Sequence, residues 1–136
     1  MKDKKILLVE DDPDHADLII DILDTENKKE VILKTDGQLA IDYLQKNGIA
    51  DNDNKNQLQV GLVVLDLNLP KVKGMDVLKF IRGDSRYSSL PVVILSTSSN
   101  DETITEAYRN GANAFMTKPI SYEEFVEKIR TLNVYC

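Results

Sequence analysis

Apolar and polar positions along this chain follow two alternating rhythms. Short continuous apolar runs recur at Ile6-Leu7-Leu8-Val9, Leu62-Val63-Val64-Leu65 and Val92-Val93-Ile94-Leu95, with weaker runs near Val31 and Ala114. Between them the apolar residues recur every three or four positions, the spacing of a helix face. Strands are expected over residues 4–10, 30–35, 61–66, 91–96 and 113–117. Continuous Val/Ile/Leu runs suit strands covered on both faces. The second strand candidate, with Lys28, Lys29 and Lys34 in or beside it, has the charge expected of a sheet edge. Strand and helix patterns alternate five times, which predicts an α/β fold with a parallel sheet.

The helices carry legible start and stop signals. Pro13 suits a first turn ahead of Leu18, Ile19, Ile22 and Leu23. Asp36 is a candidate N-cap for the stripe Leu39, Ala40, Tyr43 and Leu44. Residues 74–82 offer Val77, Leu78 and Ile81, and Ile104, Ala107 and Tyr108 form the next stripe, which Gly111 can end in a left-handed conformation. Ser121 and Glu124 have capping-box spacing ahead of Phe125, Ile129 and Leu132. Residues 47–59 are polar, rich in Asn and Asp, and longer than the usual connection, so a mobile surface loop with a role in partner contact is expected there.

The residues that end the runs carry the chemistry. Glu10-Asp11-Asp12 follow the first run, Asp66 the third, Ser96 the fourth and Lys118-Pro119 the fifth. Parallel strands would bring these ends to one edge, where open α/β sheets bind ligands. Two carboxylates about 4 Å apart repel by roughly 4 kcal/mol at an effective dielectric near 20, so Glu10, Asp11 and Asp66 together call for a cation. Mg2+ suits such a set, since it takes one or two carboxylates plus waters and phosphate oxygens. Lys118 offers a point charge for a phosphate, and Ser96 a hydroxyl for the same group. Ser96 could instead be a helix N-cap or loop hydroxyl, a role that Ser98 or Ser99 could also fill. Asp66 is the candidate nucleophile, because a carboxylate can attack phosphorus to give an acyl phosphate. His15, the one histidine, reads as a partly buried structural residue. A phosphoryl-accepting histidine would belong to an all-helical bundle, which the strand runs oppose.

Composition narrows the class further. The 136 residues fit one domain over 1–136, with 42% apolar and 29% charged residues. A net charge of −6 argues against a nucleic-acid surface. No apolar run approaches the roughly 18 residues of a membrane helix, and the basic start, Met1-Lys2-Asp3-Lys4-Lys5, precedes too short an apolar stretch for a signal peptide. The chain reads as cytoplasmic. Cys136, the single cysteine, leaves no internal disulfide and no Cys-based metal site. The last helix pattern runs to the end of the sequence, so another protein is expected to read the state of the crevice.

Over residues 4–132 the chain resembles the receiver domain of two-component response regulators, of CheY-like type. The resemblance is carried by Leu8-Val9-Glu10-Asp11-Asp12-Pro13, by Leu65-Asp66-Leu67-Asn68-Leu69-Pro70 with Gly74, by Pro91-Val92-Val93-Ile94-Leu95-Ser96, and by Gly111-Ala112-Asn113-Ala114-Phe115 leading to Lys118-Pro119. It implies a flavodoxin-like three-layer sandwich, a five-stranded parallel sheet of order 2-1-3-4-5 flanked by five helices. It implies that Asp66 takes a phosphoryl group from a sensor histidine kinase or a phosphotransfer protein. Asp11, Asp66 and the backbone carbonyl of Asn68 would hold Mg2+ directly, and Glu10 through water. Lys118 would pair with the phosphoryl group and Ser96 would move toward it, while Phe115, at the aromatic switch position, turns inward. The family usually has a cis bond before the proline equivalent to Pro119. The face of the fourth helix, fifth sheet strand and fifth helix would change shape, with Tyr108, Arg109, Phe115 and Tyr122 presenting the change to a downstream partner.

Two departures bear on mechanism. Thr97 stands where many receivers have a small Ala, and its bulk could limit attacking water; Leu67 follows the nucleophile, and the chain has no Trp to report activation. The polar stretch before the third strand, the Asp-Leu-Asn-Leu-Pro sequence and the Ser-Thr pair at 96–97 look like the single-domain regulators paired with bacterial phytochrome kinases, some of which form homodimers through the output face. A haloacid-dehalogenase-type phosphatase would need an acid two residues after the nucleophile, where Asn68 stands. A pure interaction module would not need the intact set Glu10, Asp11, Asp66, Ser96 and Lys118.

Overall fold

The apolar runs become strands because each alternates its side chains between two cores. In the computed structural model, which describes residues 4–27, 30–52, 55–98 and 100–135, the elements are β1 (Lys5–Val9), α1 (Pro13–Asn27), β2 (Val31–Lys34), α2 (Gly37–Asn47), β3 (Ile49–Asn52), β4 (Lys55–Leu58), β5 (Val60–Leu65), α3 (Gly74–Gly83), β6 (Val92–Ser96), α4 (Asp101–Arg109), β7 (Ala114–Thr117) and α5 (Tyr122–Arg130). Short 3-10 turns follow α3 and α5. Five parallel strands form one sheet in the order β2-β1-β5-β6-β7, which is 2-1-3-4-5 counted over the sheet strands.

Leu7, Val9, Val63, Leu65, Val92 and Ile94 pack on one side against Ala40 and Leu44 of α2, Val77, Leu78 and Ile81 of α3 and Ala107 of α4. Ile6, Leu8, Leu62, Val64, Val93 and Leu95 pack on the other side against Ala16, Ile19, Ile22 and Leu23 of α1 and Phe125 and Ile129 of α5. A continuous apolar run is therefore two interleaved faces, each covered by helices. β2 and β7, the edges, are only partly buried along their whole length.

Caps and turns follow the sequence signals, with two additions. Asp36 accepts the Leu39 amide at 2.8 Å, and Ser121 accepts that of Glu124 at 3.4 Å. Gly111 takes φ +102°, and a Cβ there would come within 2.7 Å of the Arg82 side chain. The N-cap of α4 is Asn100, which accepts the Thr103 amide at 2.8 Å, rather than Ser96 or Ser98. A full side-chain amide three residues ahead of a free N–H meets the capping geometry, while Ser96 still belongs to its strand. Asp12 accepts the amides of Asp14 and His15 at the start of α1.

Within the expected loop at 47–59, residues 49–52 and 55–58 form an antiparallel ribbon. β3 pairs with β4 from Ile49↔Leu58 to Asn52↔Lys55, apart from the main sheet. Antiparallel pairing is made by backbone groups, so a polar stretch with no apolar alternation can still adopt it. No helix among the described residues is long and apolar enough to cross a membrane. The basic start at 1–3, Lys28, Lys29, Ser99 and Cys136 lie outside the described residues.

Candidate functional site

The sheet ladder itself carries the site residues to one rim. Beyond the end of β1, the Glu10 amide still donates to the Lys34 carbonyl at 3.0 Å. Beyond β5, the Asp66 amide donates to the Val9 carbonyl at 3.0 Å. Beyond β7, the Lys118 amide donates to the Ser96 carbonyl at 2.7 Å. Glu10, Asp66 and Lys118 thus each sit one residue past the end of their strand, held by the next rung. Gly74 lets α3 start close behind: a Cβ there would lie 2.2 Å from the Asp66 carbonyl oxygen.

Oxygens of Glu10, Asp11 and Asp66 all lie within 4.8 Å of one another. Glu10 and Asp66 are buried and Asp11 is exposed. The Lys118 ammonium, 4% exposed, lies 2.6 Å from Glu10 Oε1 and 3.0 Å from Asp66 Oδ2. Its third neighbour is His15 Nδ1 at 3.1 Å. The remaining oxygens are also engaged: Asp66 Oδ1 accepts the Asn68 amide at 3.0 Å, and Glu10 Oε2 accepts the Asp12 amide at 3.1 Å.

Electrostatics follow from this crowding. Burial pushes the Glu10 carboxyl up to about 7; the Lys118 hydrogen bond opposes the rise and neighbouring Asp66 adds to it. Burial pulls the Lys118 ammonium down, but its hydrogen bond to Glu10 and the charge of Asp66 outweigh burial and hold it above the ordinary lysine value. One ammonium pairs with Glu10 and Asp66, and Asp11 adds a third carboxylate to the cluster, a formal surplus of two negative charges. Hard oxygen donors in that number, with one acid driven toward its neutral form, fit a divalent cation. The chemistry of the donor set and its charge deficit therefore match a divalent metal ion.

The remaining predicted residues surround this cluster. Ser96 is buried, and its Oγ accepts the Ser98 amide at 3.1 Å. Thr97 is exposed and Leu67 half-buried. Phe115 is half-buried at the edge of the core, and its amide donates to the Tyr108 hydroxyl at 3.0 Å. Ile120 and Tyr122 are exposed. The peptide before Pro119 is trans, against the expectation. Lys118 reaches the crevice nonetheless, because Glu10 and Asp66 fix its ammonium.

Sequence reasoning missed two participants. His15 was read as structural; it contacts the functional lysine while its ring meets Phe125 edge-on at 5.6 Å. Asp12 was counted only among the acids of the first run, although an acid directly before Pro13 is a helix-start signal.

Residues 6–130 match the response regulator receiver domain family. The chain is 34% identical to "Probable methanogenesis regulatory protein FilR2" of Methanothrix harundinacea, over 96% of this chain and 81% of that one. It is 32% identical to response regulator Rcp1 of Synechocystis sp., over 97% of this chain and 88% of the relative. The Mn2+-bound crystal structure of Rcp1 superposes with a TM-score of 0.82, covering 96% of this chain and 91% of the other. The phosphorylated cyanobacterial phytochrome response regulator RcpA superposes with a TM-score of 0.84 at 32% identity, covering 98% and 94%.

Proposed function

The chain belongs to the response regulator receiver domain family, a signalling domain of two-component systems, and from that premise we propose that Asp66 is its phosphoryl acceptor in a Mg2+-dependent reaction. The observation that carries the reading is the Lys118 ammonium pinned between Glu10 Oε1 at 2.6 Å and Asp66 Oδ2 at 3.0 Å. Few structural needs explain three acids and a buried lysine at one sheet rim. An incoming phosphoryl group does.

An Asp66 oxygen attacks phosphorus as the P–N bond of a kinase phosphohistidine breaks, and the electron pair leaves with the imidazole nitrogen. Lys118 passes one hydrogen bond from Asp66 Oδ2 to a phosphoryl oxygen. Ser96 Oγ accepts the Ser98 amide and keeps its own O–H to donate. Asp11 and Asp66, the backbone carbonyl of Asn68 and, through a water, Glu10 would hold Mg2+, whose charge offsets that of the phosphoryl oxygens. The product adds about two negative charges to the rim. Ser96 then moves toward them, and Phe115, half-buried in the resting state, follows inward. Acceptance from a small donor such as acetyl phosphate, and slow hydrolysis, are the only reactions that the domain itself catalyses.

RcpA, a phytochrome response regulator by its description, supports a phytochrome-type sensor histidine kinase as donor. We assign the chain to the cytoplasm, where such a kinase draws on ATP. Tyr108 and Arg109 of α4, Phe115 of β7 and Tyr122 of α5 form the face through which a downstream protein or a second copy reads the switch, and Ile120, in the connection between β7 and α5, is exposed as well.

Acetyl phosphate with Mg2+ should add one phosphoryl mass to the protein, labile to hydroxylamine, and none to Asp66→Asn. Labelling of Asp66→Asn at the wild-type rate overturns the assignment. Gel filtration with and without beryllofluoride tests the homodimer, and an unchanged monomer in both conditions counts against it.

A further inference from the structure

We propose that His15 is a positioning residue for phosphoryl transfer: its neutral ring, through Nδ1, accepts the third N–H of the Lys118 ammonium and so aims the other two at the acids. The inference rests on the role proposed above for Lys118 and extends it to a residue outside the motifs of the crevice.

An ammonium has three donors and no acceptor. Two go to Glu10 Oε1 at 2.6 Å and Asp66 Oδ2 at 3.0 Å. The third points at His15 Nδ1, 3.1 Å away. Lysine cannot accept, so the contact is a hydrogen bond only when Nδ1 carries a lone pair, with the ring proton on Nε2. The ring cannot swing freely. Its edge packs on Phe125 of α5 at 5.6 Å and 89°, and the His15 amide is held at 3.3 Å by Asp12 Oδ1. His15 is the one neutral acceptor of the three. During transfer Glu10 and His15 keep their N–H bonds while the third moves from Asp66 to the phosphoryl oxygen. Without His15, a buried N–H of a charged group is unpaired and the lysine is free to tilt.

The test compares the wild-type protein with His15→Leu and His15→Asn, phosphorylated by acetyl phosphate with Mg2+ at one mildly alkaline pH. Asn retains an acceptor oxygen near the position of Nδ1. His15→Leu should be roughly tenfold slower, the loss expected for one hydrogen bond to a charged group, and the loss should fall on the rate constant rather than on the acetyl phosphate dependence. His15→Asn should stay close to wild type. Ring 15N shifts of unphosphorylated wild type should report the Nε2–H tautomer. Wild-type rates in His15→Leu, a rate in His15→Asn as low as that of His15→Leu, or an Nδ1–H tautomer each overturn the proposal. The tautomer is read without any phosphorylation, so it stands even if Asp66→Asn is still labelled and the acceptor assignment fails. If His15→Leu does not fold, His15→Asn and the ring shifts carry the test.

Discussion

Two neighbouring zones of the sheet are equally buried and built on opposite terms. Val9 and Leu65 are 0% exposed; Glu10 and Asp66, the next residues, are 1% and 6% exposed. The belt of strand interiors completes itself. Each side chain falls into one of two apolar clusters covered by helices, and nothing further is needed from outside. The rim does not complete itself. Its polar atoms find partners, yet its charges do not balance. Burial alone therefore says little about role. The belt supplies stability, and the rim, one residue further on, holds a standing demand for positive charge, which a cation meets.

The sharpest way to break the comparison is to truncate either side of one peptide bond. Leu65→Ala should lose about 4 kcal/mol in urea unfolding, since a fully buried leucine is replaced by a cavity. If it folds, it should keep its phosphoryl acceptance. Asp66→Ala should lose far less stability, because it also removes a repelled charge, and should lose all labelling. Comparable destabilisation by both would erase the distinction between belt and rim.

Lys118→Met comes next. It removes the ammonium that pairs with Glu10 and Asp66 and leaves buried carboxylates facing one another. A loss of about 3 kcal/mol is expected, on the scale of breaking a buried pair. Millimolar Mg2+ should raise the melting temperature of this variant more than that of the wild type. An equal rise in both would mean that the lysine and the cation do not answer the same charge.

The belt was legible in the sequence and the rim nearly so, for the same reason. Continuous apolar runs mark strands buried on both faces, and whatever follows such a run lands on the rim. Glu10, Asp66, Ser96 and Lys118 could be grouped before any coordinates because parallel strands end together. What escaped has no such marker. His15 meets Lys118 across 103 positions of sequence, and helix periodicity gives only its face. The β3–β4 ribbon is held by backbone pairs, so its polar composition read as loop. Tyr87, fully buried, donates its hydroxyl to the Leu44 carbonyl at 2.7 Å. Arg82 reaches the carbonyls of Gly111 and Tyr87 and the side chain of Asn113. Both are single polar-tipped residues at helix ends and turns, where no period exists to point to them.

A comparable effect, about 3 kcal/mol for the shift of the Glu10 carboxyl, comes from pH. The Glu10 carboxyl rises from 4.5 to about 7 on folding. Between those values the folded chain binds the proton more tightly than the unfolded one. The contribution is fully present below 4.5 and is lost as pH rises through about 7. In metal-free buffer, stability should fall over that window, and Glu10→Gln should flatten the fall. Mg2+ should stabilise the wild type more above the window than below it, where the carboxyl is protonated and offers the cation less. A Mg2+ effect independent of pH would remove Glu10 from the cation's surroundings.

The smallest effect concerns how the rim reaches the surface. Phe115 lies on edge strand β7, and its amide donates to the Tyr108 hydroxyl on α4 at 3.0 Å. Tyr108 is 48% exposed, so water can take its place. Tyr108→Phe should therefore lose only about 0.5 kcal/mol of stability. The phenol is nonetheless a direct tie between α4 and the strand that carries Phe115, the proposed switch residue. Cutting it should shift the Phe115 amide resonance in the resting protein and leave the rate of labelling by acetyl phosphate unchanged. In the beryllofluoride-bound protein the difference between variant and wild type at that amide should shrink, because the proposed switch takes Phe115 inward and away from Tyr108. If the difference persists at full size, the tie survives activation, and β7 moves with α4 as one body rather than against it.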